Sequence, residues 1–265
     1  MNRIDKRDVV AFWNAAAEKT ELNSKEAVGM LTEGNEYYAR ARTMEEFTLL
    51  DVLVSKNNGN ILEIGCGSGR YAPYFAKRGI SYLGVDISSG MIALAKSIYG
   101  DKSPLIDFRC INDISDLEGE FDCIIIGGVT QYLNDDELFS FIAKCIDLTT
   151  GPIITRDTLS LKLRKTISDK EYSVIYRTPQ ELDRMFFNSS LELLTRQESY
   201  KIKLLSSKVN ILYARFPRIF KLLYVTHRLF LLIYKPLRHL FVSILSSDYR
   251  AYGEKKHMFS VYEKR

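Results

Sequence analysis

Between residues 60 and 200 the chain alternates short apolar runs with segments whose apolar positions recur at helical spacing. Residues 61–64, 81–85, 105–110, 121–126 and 152–156 are mostly apolar and bounded by turn residues, the pattern of strands buried on both faces. Between them, Ala72, Phe75 and Ala76, then 91–99, then a stretch opened by Asn134 with Asp135, Asp136 and Glu137 in its first turn, read as helices. This regular alternation predicts an α/β domain with a doubly wound, mostly parallel sheet. Upstream, Val9, Val10, Phe12, Trp13, Ala16 and Ala17 form one helical stripe and Met44, Phe47, Leu50 and Val54 a second. They predict an N-terminal helical cap over the ligand crevice, with Trp13 as a core residue. Thr178-Pro179-Gln180-Glu181 supplies an N-cap, a first-position Pro and a third-position Glu, so a helix starts there. The polar connector 159–176 is long for a loop and is expected to be a substrate lid.

Composition adds limits. With 265 residues, 46% of them hydrophobic, the chain can bury one α/β core with extra elements. Residues 1–8 are charged and lack the apolar run of a signal peptide, and Cys66, Cys110, Cys123 and Cys145 form no Cys-x-x-Cys pair. A cytoplasmic protein with free thiols, and neither disulfide nor zinc, is expected. The net charge of +4 is unevenly placed: from Ser199 to Ser247 there are nine Lys or Arg and no Asp or Glu. The same stretch is rich in Leu, Ile and Phe, yet its longest apolar run, 229–234, is far short of a membrane span. At helical periodicity Arg218, Lys221, Arg228, Lys235 and His239 share one side, and Pro217 and Pro236 break or begin helices. The division is therefore a cap (1–58), a core (59–200), a basic amphipathic helical insertion (201–252) and a returning strand (253–265). Four roles remain open for the insertion: docking of 208–247 on an anionic membrane face, a partner chain or second copy in a homodimer, a cover gripping an acidic substrate, or a solvated helical layer. Nucleic acid is not an expected partner, because the rest of the chain is net acidic and no binding module for it is visible.

The chemistry centres on residues 60–70, Asn-Ile-Leu-Glu-Ile-Gly-Cys-Gly-Ser-Gly-Arg. A strand that stops at glycines and passes straight into a helix makes a turn whose backbone N–H groups face a ligand. The glycines are 65, 67 and 69, and Arg70 stands where a dinucleotide fingerprint needs its third glycine. Asp86 ends the next strand, 21 residues beyond Gly65, where a carboxylate accepts from both hydroxyls of a ribose. Spacing thus points to a nucleoside ligand in a Rossmann-like crevice.

Residues 62–70, with Gly-Val-Asp-Ile-Ser at 84–88 and Met91, resemble the S-adenosylmethionine (SAM) site of class I methyltransferases. The resemblance covers about 59–191. It implies SAM as cofactor and a seven-stranded sheet closed by two antiparallel strands, here about 191–200 and 257–263 on either side of the insertion. It also implies cofactor contacts at Glu63, Gly65, Cys66, Gly67, Gly69, Asp86, Ile87, Met91 and Gly128. In such enzymes an acidic residue past the third strand accepts from the adenine amino group. Asp113 matches, with Asn112 and Ile114 beside the ring and Asp116 as a rival. A Tyr or Arg of the N-terminal segment reaches the SAM carboxylate, which makes Tyr38, Arg40 and Arg42 candidates.

The acceptor is expected past strands four and five, because ligands of open α/β sheets lie outside the strands' carboxyl ends. Gly127-Gly128-Val129-Thr130-Gln131-Tyr132-Leu133 follows strand four, and Arg156-Asp157 is placed at the tip of strand five. Asp157 is the expected general base, with Tyr132 and Tyr176 as orienting groups. Arg156, Arg177 and Gln131 are expected to hold the acceptor. No Asn/Asp-Pro-Pro-Tyr/Phe series is present, which argues against DNA or glutamine as acceptor, and strand four's Gly-Gly-Val end argues against a metal. A looser likeness to methyltransferases of bacterial surface-polysaccharide synthesis makes O-methylation of a free, nucleotide-linked or lipid-linked sugar hydroxyl the leading expectation. A quinone precursor or natural product, or a non-catalytic assembly factor peripheral to the membrane, are the alternatives.

Overall fold

The computed structural model describes residues 3–18, 46–47, 49–51, 54, 59–168, 173–198 and 255–265. Met44, Tyr38, Arg40, Arg42 and the expected insertion at 201–252 lie outside them. Helix α1 (Lys6–Glu18) precedes β1 (Asn60–Ile64), α2 (Ala72–Ala76), β2 (Ser81–Asp86), α3 (Ser89–Tyr99) and β3 (Ile106–Cys110). Then come β4 (Cys123–Gly127), α4 (Asp135–Leu148), β5 (Ile153–Ser160), β6 (Lys165–Ser168), β7 (Ser173–Tyr176), α5 (Pro179–Asn188), β8 (Leu191–Glu198) and β9 (Lys255–Lys264). Among the described residues one seven-stranded sheet has the order β3-β2-β1-β4-β5-β9-β8. It is parallel from β3 to β5, and β9 runs antiparallel to β5 and β8.

The period of two along the central strands builds two cores, one on each face. Leu62, Ile64, Ile124 and Ile126 pack with Leu138, Ile142 and Phe186 of α4 and α5. Ile61, Cys123 and Ile125 pack with Phe75 and Ile92 of α2 and α3. Leu50 and Val54 of the second upstream stripe join this second core. Helix starts follow the expected chemistry: Asn134 with Glu137 caps α4, and Thr178 with Glu181 caps α5 behind Pro179.

Two expectations change. β5 does not end at Arg156 but runs to Ser160, paired with β9 from Ile153↔Tyr262 to Ser160↔Lys255. Asp157 is therefore inside a paired strand, not at its tip. The connector 159–176 contains a β-hairpin, Lys165↔Tyr176 to Ser168↔Ser173, whose Val174 and Ile175 are buried. None of the described helices is long and apolar enough to cross a membrane.

The segment 3–18 lies across the carboxyl edge of the sheet, held at three places. Ile4 N–H donates to Asn134 Oδ1 (3.0 Å) and Asn134 Nδ2 returns a bond to Ile4 O (3.1 Å). Lys6 Nζ reaches the Asn112 carbonyl and stands 3.5 Å from an Asp113 carboxylate oxygen. Asn14 Oδ1 accepts from Ser88 Oγ (2.7 Å) and Gly90 N–H (3.1 Å).

Candidate active site

The turn after β1 is pinned to β2, since Gly65 and Cys66 N–H both donate to Val85 O, at 2.8 and 3.1 Å. Two of its glycines serve unlike ends. Gly69 has φ +73°, and a Cβ there would stand 2.4 Å from the Phe108 ring, so this glycine makes room for core packing. Gly67 has φ +54° and nothing within 4 Å of where a Cβ would be, so its main chain faces open space. Gly67 N–H donates to Asp86 Oδ2 at 2.9 Å, and Ser88 N–H donates to Asp86 Oδ1 at 2.9 Å. Burial pushes the Asp86 carboxyl above its ordinary value, and the Ser88, Gly67 and Ile87 N–H groups pull it back.

This turn forms one side of a cavity of about 610 Å³, within the roughly 300–1,000 Å³ usual for small-molecule sites. Its floor is the carboxyl edge of β1, β2 and β4, and its roof is Ile4, Lys6, Val9 and Trp13 of the N-terminal segment. Past β3, Asp113 accepts from Ser115 N–H and Oγ, both at 2.9 Å, and Asp116 turns back to accept from Asp113 N–H at 3.3 Å. Asp113 lines the cavity and Asp116 does not. Beyond β4, Gly128, Val129, Tyr132 and Leu133 form a wall, and Trp13 meets Tyr132 edge to face at 6.0 Å and 87°.

Charge is concentrated beneath the turn. Glu46, fully buried, accepts from Tyr71 Oη (2.8 Å) and pairs with Arg70 Nη1 (2.7 Å) and Arg156 Nη1 (3.6 Å). Both arginines line the cavity. Glu63, also buried, accepts from Tyr82 Oη at 2.5 Å. Burial pushes its carboxyl up to about 7, against the pull of Tyr82, Arg70 and Arg156. An unfolded Glu titrates near about 4.3, so the stability this residue allows is full below about pH 4 and is lost as pH rises through the folded value. The span is on the order of 3 kcal/mol. Glu63→Gln is expected to flatten the fall in Tm of the ligand-free protein between about pH 5 and pH 8. Thermal melts over that range check this, and a slope equal to wild type would refute it.

Residues 61–150 match a family model described as a methyltransferase domain. These residues carry a methyltransferase domain. A ubiquinone biosynthesis O-methyltransferase of Rhodopseudomonas palustris (strain BisB5) is 36% identical over 91 residues, covering 33% of this chain and 34% of that enzyme. Malonyl-acyl-carrier-protein O-methyltransferase 1 of Ilyobacter polytropus is 29% identical over 203 residues, covering 71% of this chain and 73% of that one. The chain spans 34% to 61% of the length of ubiquinone biosynthesis relatives that it matches. The fold is shared with 1,6-didemethyltoxoflavin-N1-methyltransferase of Burkholderia thailandensis, solved with its substrate and S-adenosylhomocysteine (TM-score 0.60, 13% identity, 100% of this chain and 92% of that one). It is shared equally with the [4+2]-cyclase SpnF (TM-score 0.60, 14% identity, 97% and 93%).

The cavity of this methyltransferase domain fits SAM. Gly67 leaves its main chain open to a ligand, and Asp86, with about four acceptor positions on its carboxylate, has capacity for ribose hydroxyls beside the backbone N–H groups it already accepts from. Of the residues expected at the cofactor, Glu63, Gly65, Cys66, Gly67, Asp86, Ile87, Met91, Asn112, Asp113, Ile114 and Gly128 line the cavity. Gly69 does not, being turned to Phe108.

The acceptor-side expectations divide. Tyr132 and Arg156 line the cavity; Asp157, Tyr176, Arg177 and Gln131 do not. Asp157 is 1% exposed and accepts from Thr130 Oγ1 at 2.5 Å, a buried position that the continuation of β5 imposes. Arg177 is 2% exposed and donates to Thr130 O (2.6 Å), Leu133 O (2.7 Å) and Asp135 Oδ1 (2.6 Å), so it braces the loop that carries Tyr132. Tyr176 lies under Lys255, whose Nζ is 3.8 Å from the ring centroid. Lys6 and Glu46 were not expected in the site, and Trp13 was expected in the core. Lys6 and Glu46 carry no local motif, and a Trp on a helical stripe reads the same whether it faces a core or a cavity.

Proposed function

We propose that this chain transfers the methyl group of SAM to an oxygen atom of a small acceptor with an apolar, ring-bearing body. The supporting observation is the wall beyond β4, where Trp13, Val129 and Tyr132 stand with Ile4 and Val9 next to the one strongly polar neighbour on β5, Arg156. Such a wall orients a flat apolar body, with the Arg156 guanidinium, which also pairs with Glu46, as the charged group at its edge. The two O-methyltransferase relatives support oxygen as the attacking atom.

When bound, SAM supplies an electrophilic methyl on a sulfonium. The chain's part is placement: the Gly67 main chain and Asp86 hold the adenosyl half, and Tyr132 and Trp13 hold the acceptor in line with the carbon to be attacked. Such positioning is worth roughly 7–11 kcal/mol of barrier. Asp157, buried behind Thr130, orders the Tyr132 loop and takes no proton from the acceptor.

A sugar hydroxyl is the second reading, since an aromatic wall with an arginine also suits an acidic sugar. The test is transfer of labelled methyl from SAM to a panel of phenolic, carboxylic and uronic-acid acceptors. Label in a phenolic or carboxylic ether or ester supports the first reading, and label in the sugar alone supports the second. SAM binding without transfer to any class would favour a non-methylating use of this fold, as in the cyclase neighbour.

A further inference from the structure

Trp13 belongs to two packing groups at once. On one side it joins Ile4, Val9, Ile175 and Tyr132 at the wall beyond β4, and on the other it packs with Ala16, Ala17 and Met91, where α1 lies against α3. Apolar contacts of the second kind hold α1 near α3, but they are non-directional and set no position along it. The next residue does. Asn14 Oδ1 accepts from Ser88 Oγ at 2.7 Å and from Gly90 N–H at 3.1 Å.

Both donors belong to the start of α3. Ser88 is its N-cap, and the hydroxyl that accepts from Met91 N–H at 3.1 Å gives its own hydrogen to Asn14. Ser88 N–H donates in turn to Asp86 Oδ1 at 2.9 Å, so a single residue stands between the Asn14 amide and the carboxylate that faces the ribose. Gly90 makes room for this approach. A Cβ there would stand 3.1 Å from the Ala17 Cβ and 3.3 Å from Asn14 Oδ1, both closer than side chains settle without moving. Asn14 itself does not line the cavity.

We propose that Asn14 is a positioning residue for methyl transfer, fixing Trp13, and with it the acceptor wall, relative to the ribose-facing carboxylate of Asp86. The need for such a tie is geometric. The acceptor is held by one set of elements and the methyl donor by another, and a misplacement of about 1 Å between them costs on the order of a hundredfold in rate. This rests on the reading of Trp13 as part of the acceptor wall.

Trp13 is the sole tryptophan of the chain, so its fluorescence reports on this position. The test is acrylamide quenching of that fluorescence in the full chain with S-adenosylhomocysteine bound, beside calorimetry of S-adenosylhomocysteine itself. Asn14→Ala is expected to raise the quenching constant while affinity stays within about twofold of wild type, because Asp86 and Gly67 are untouched. With the acceptor that the labelled-methyl panel identifies, kcat/KM for that acceptor is expected to fall about tenfold. Asn14→Asp keeps an oxygen in place for both donors, beside the positive end of α3, and is expected to restore wild-type quenching. Gly90→Ala, which pushes α1 outward and removes no hydrogen-bonding group, is expected to behave as Asn14→Ala does. Wild-type quenching in Asn14→Ala, a loss of S-adenosylhomocysteine affinity as large as the loss in kcat/KM, or no recovery in Asn14→Asp would overturn the proposal. A panel without product would overturn the proposed reaction, whereas quenching needs no acceptor and decides separately whether Asn14 positions Trp13.

Discussion

Asp86→Ala is expected to lower affinity for SAM and S-adenosylhomocysteine by at least a hundredfold. An ionised carboxylate contributes about 1.5–3 kcal/mol through each hydrogen bond it accepts, and two ribose hydroxyls are lost together. The same substitution removes the acceptor of Gly67 N–H and of Ser88 N–H, so the turn loses one of its ties to β2 as well as its ligand. Asp86→Asn keeps the shape and one acceptor oxygen, so only one of the Gly67 and Ser88 N–H groups loses its acceptor. Its Tm is expected to fall less than that of the Ala variant while affinity falls by about tenfold. Calorimetry with S-adenosylhomocysteine, with a melt of each variant, is the measurement. Wild-type affinity in the Ala variant would remove Asp86 from the cofactor site.

The largest loss of stability is expected from Arg177→Ala. Three acceptors converge on this buried guanidinium, the Thr130 and Leu133 carbonyls and the Asp135 carboxylate. Burial pulls its pKa down and Asp135, itself 45% exposed, pushes it back. Removing the guanidinium leaves the Thr130 and Leu133 carbonyls without this donor, at about 1–3 kcal/mol each, together about 10 °C in Tm for a domain of this size. Arg177→Lys keeps the charge but not the planar fork, and is expected to recover less than half of the loss. Because Arg177 bonds the carbonyls on either side of Tyr132, surviving folded protein should show a raised KM for the acceptor with SAM affinity unchanged. A Tm within about 1 °C of wild type would refute the bracing role.

The two substitutions mark the limits of what could be read along the chain. Gly67 and Asp86 were legible because each is set by its own turn, and a strand–turn–helix followed by a strand repeats at a fixed interval. The caps of α4 and α5 were legible for the same reason. Asp157 and Arg177 looked alike in sequence, polar residues at the ends of apolar runs, and were expected to face the acceptor. What decides their place is non-local. β9 pairs along the whole of β5 and draws Asp157 into the sheet, and the hairpin returns Arg177 beneath the Tyr132 loop. Glu46 illustrates the same limit, since its partner Arg70 comes from the turn after β1 and Arg156 from within β5, and no spacing links the three.

The place of β9 in the sheet also bears on biosynthesis. β5 and β8 never touch directly; β9 fills the space between them, and it follows β8 only after a stretch of 56 residues. A nascent chain that has not yet reached Lys255 therefore offers two bare strand edges, with Ile153 and Ile154 on one of them, to any neighbour able to pair. Ribosomes on one message would hold such edges close together, so the interval before β9 docks is when this protein is most exposed to mispairing with its own siblings.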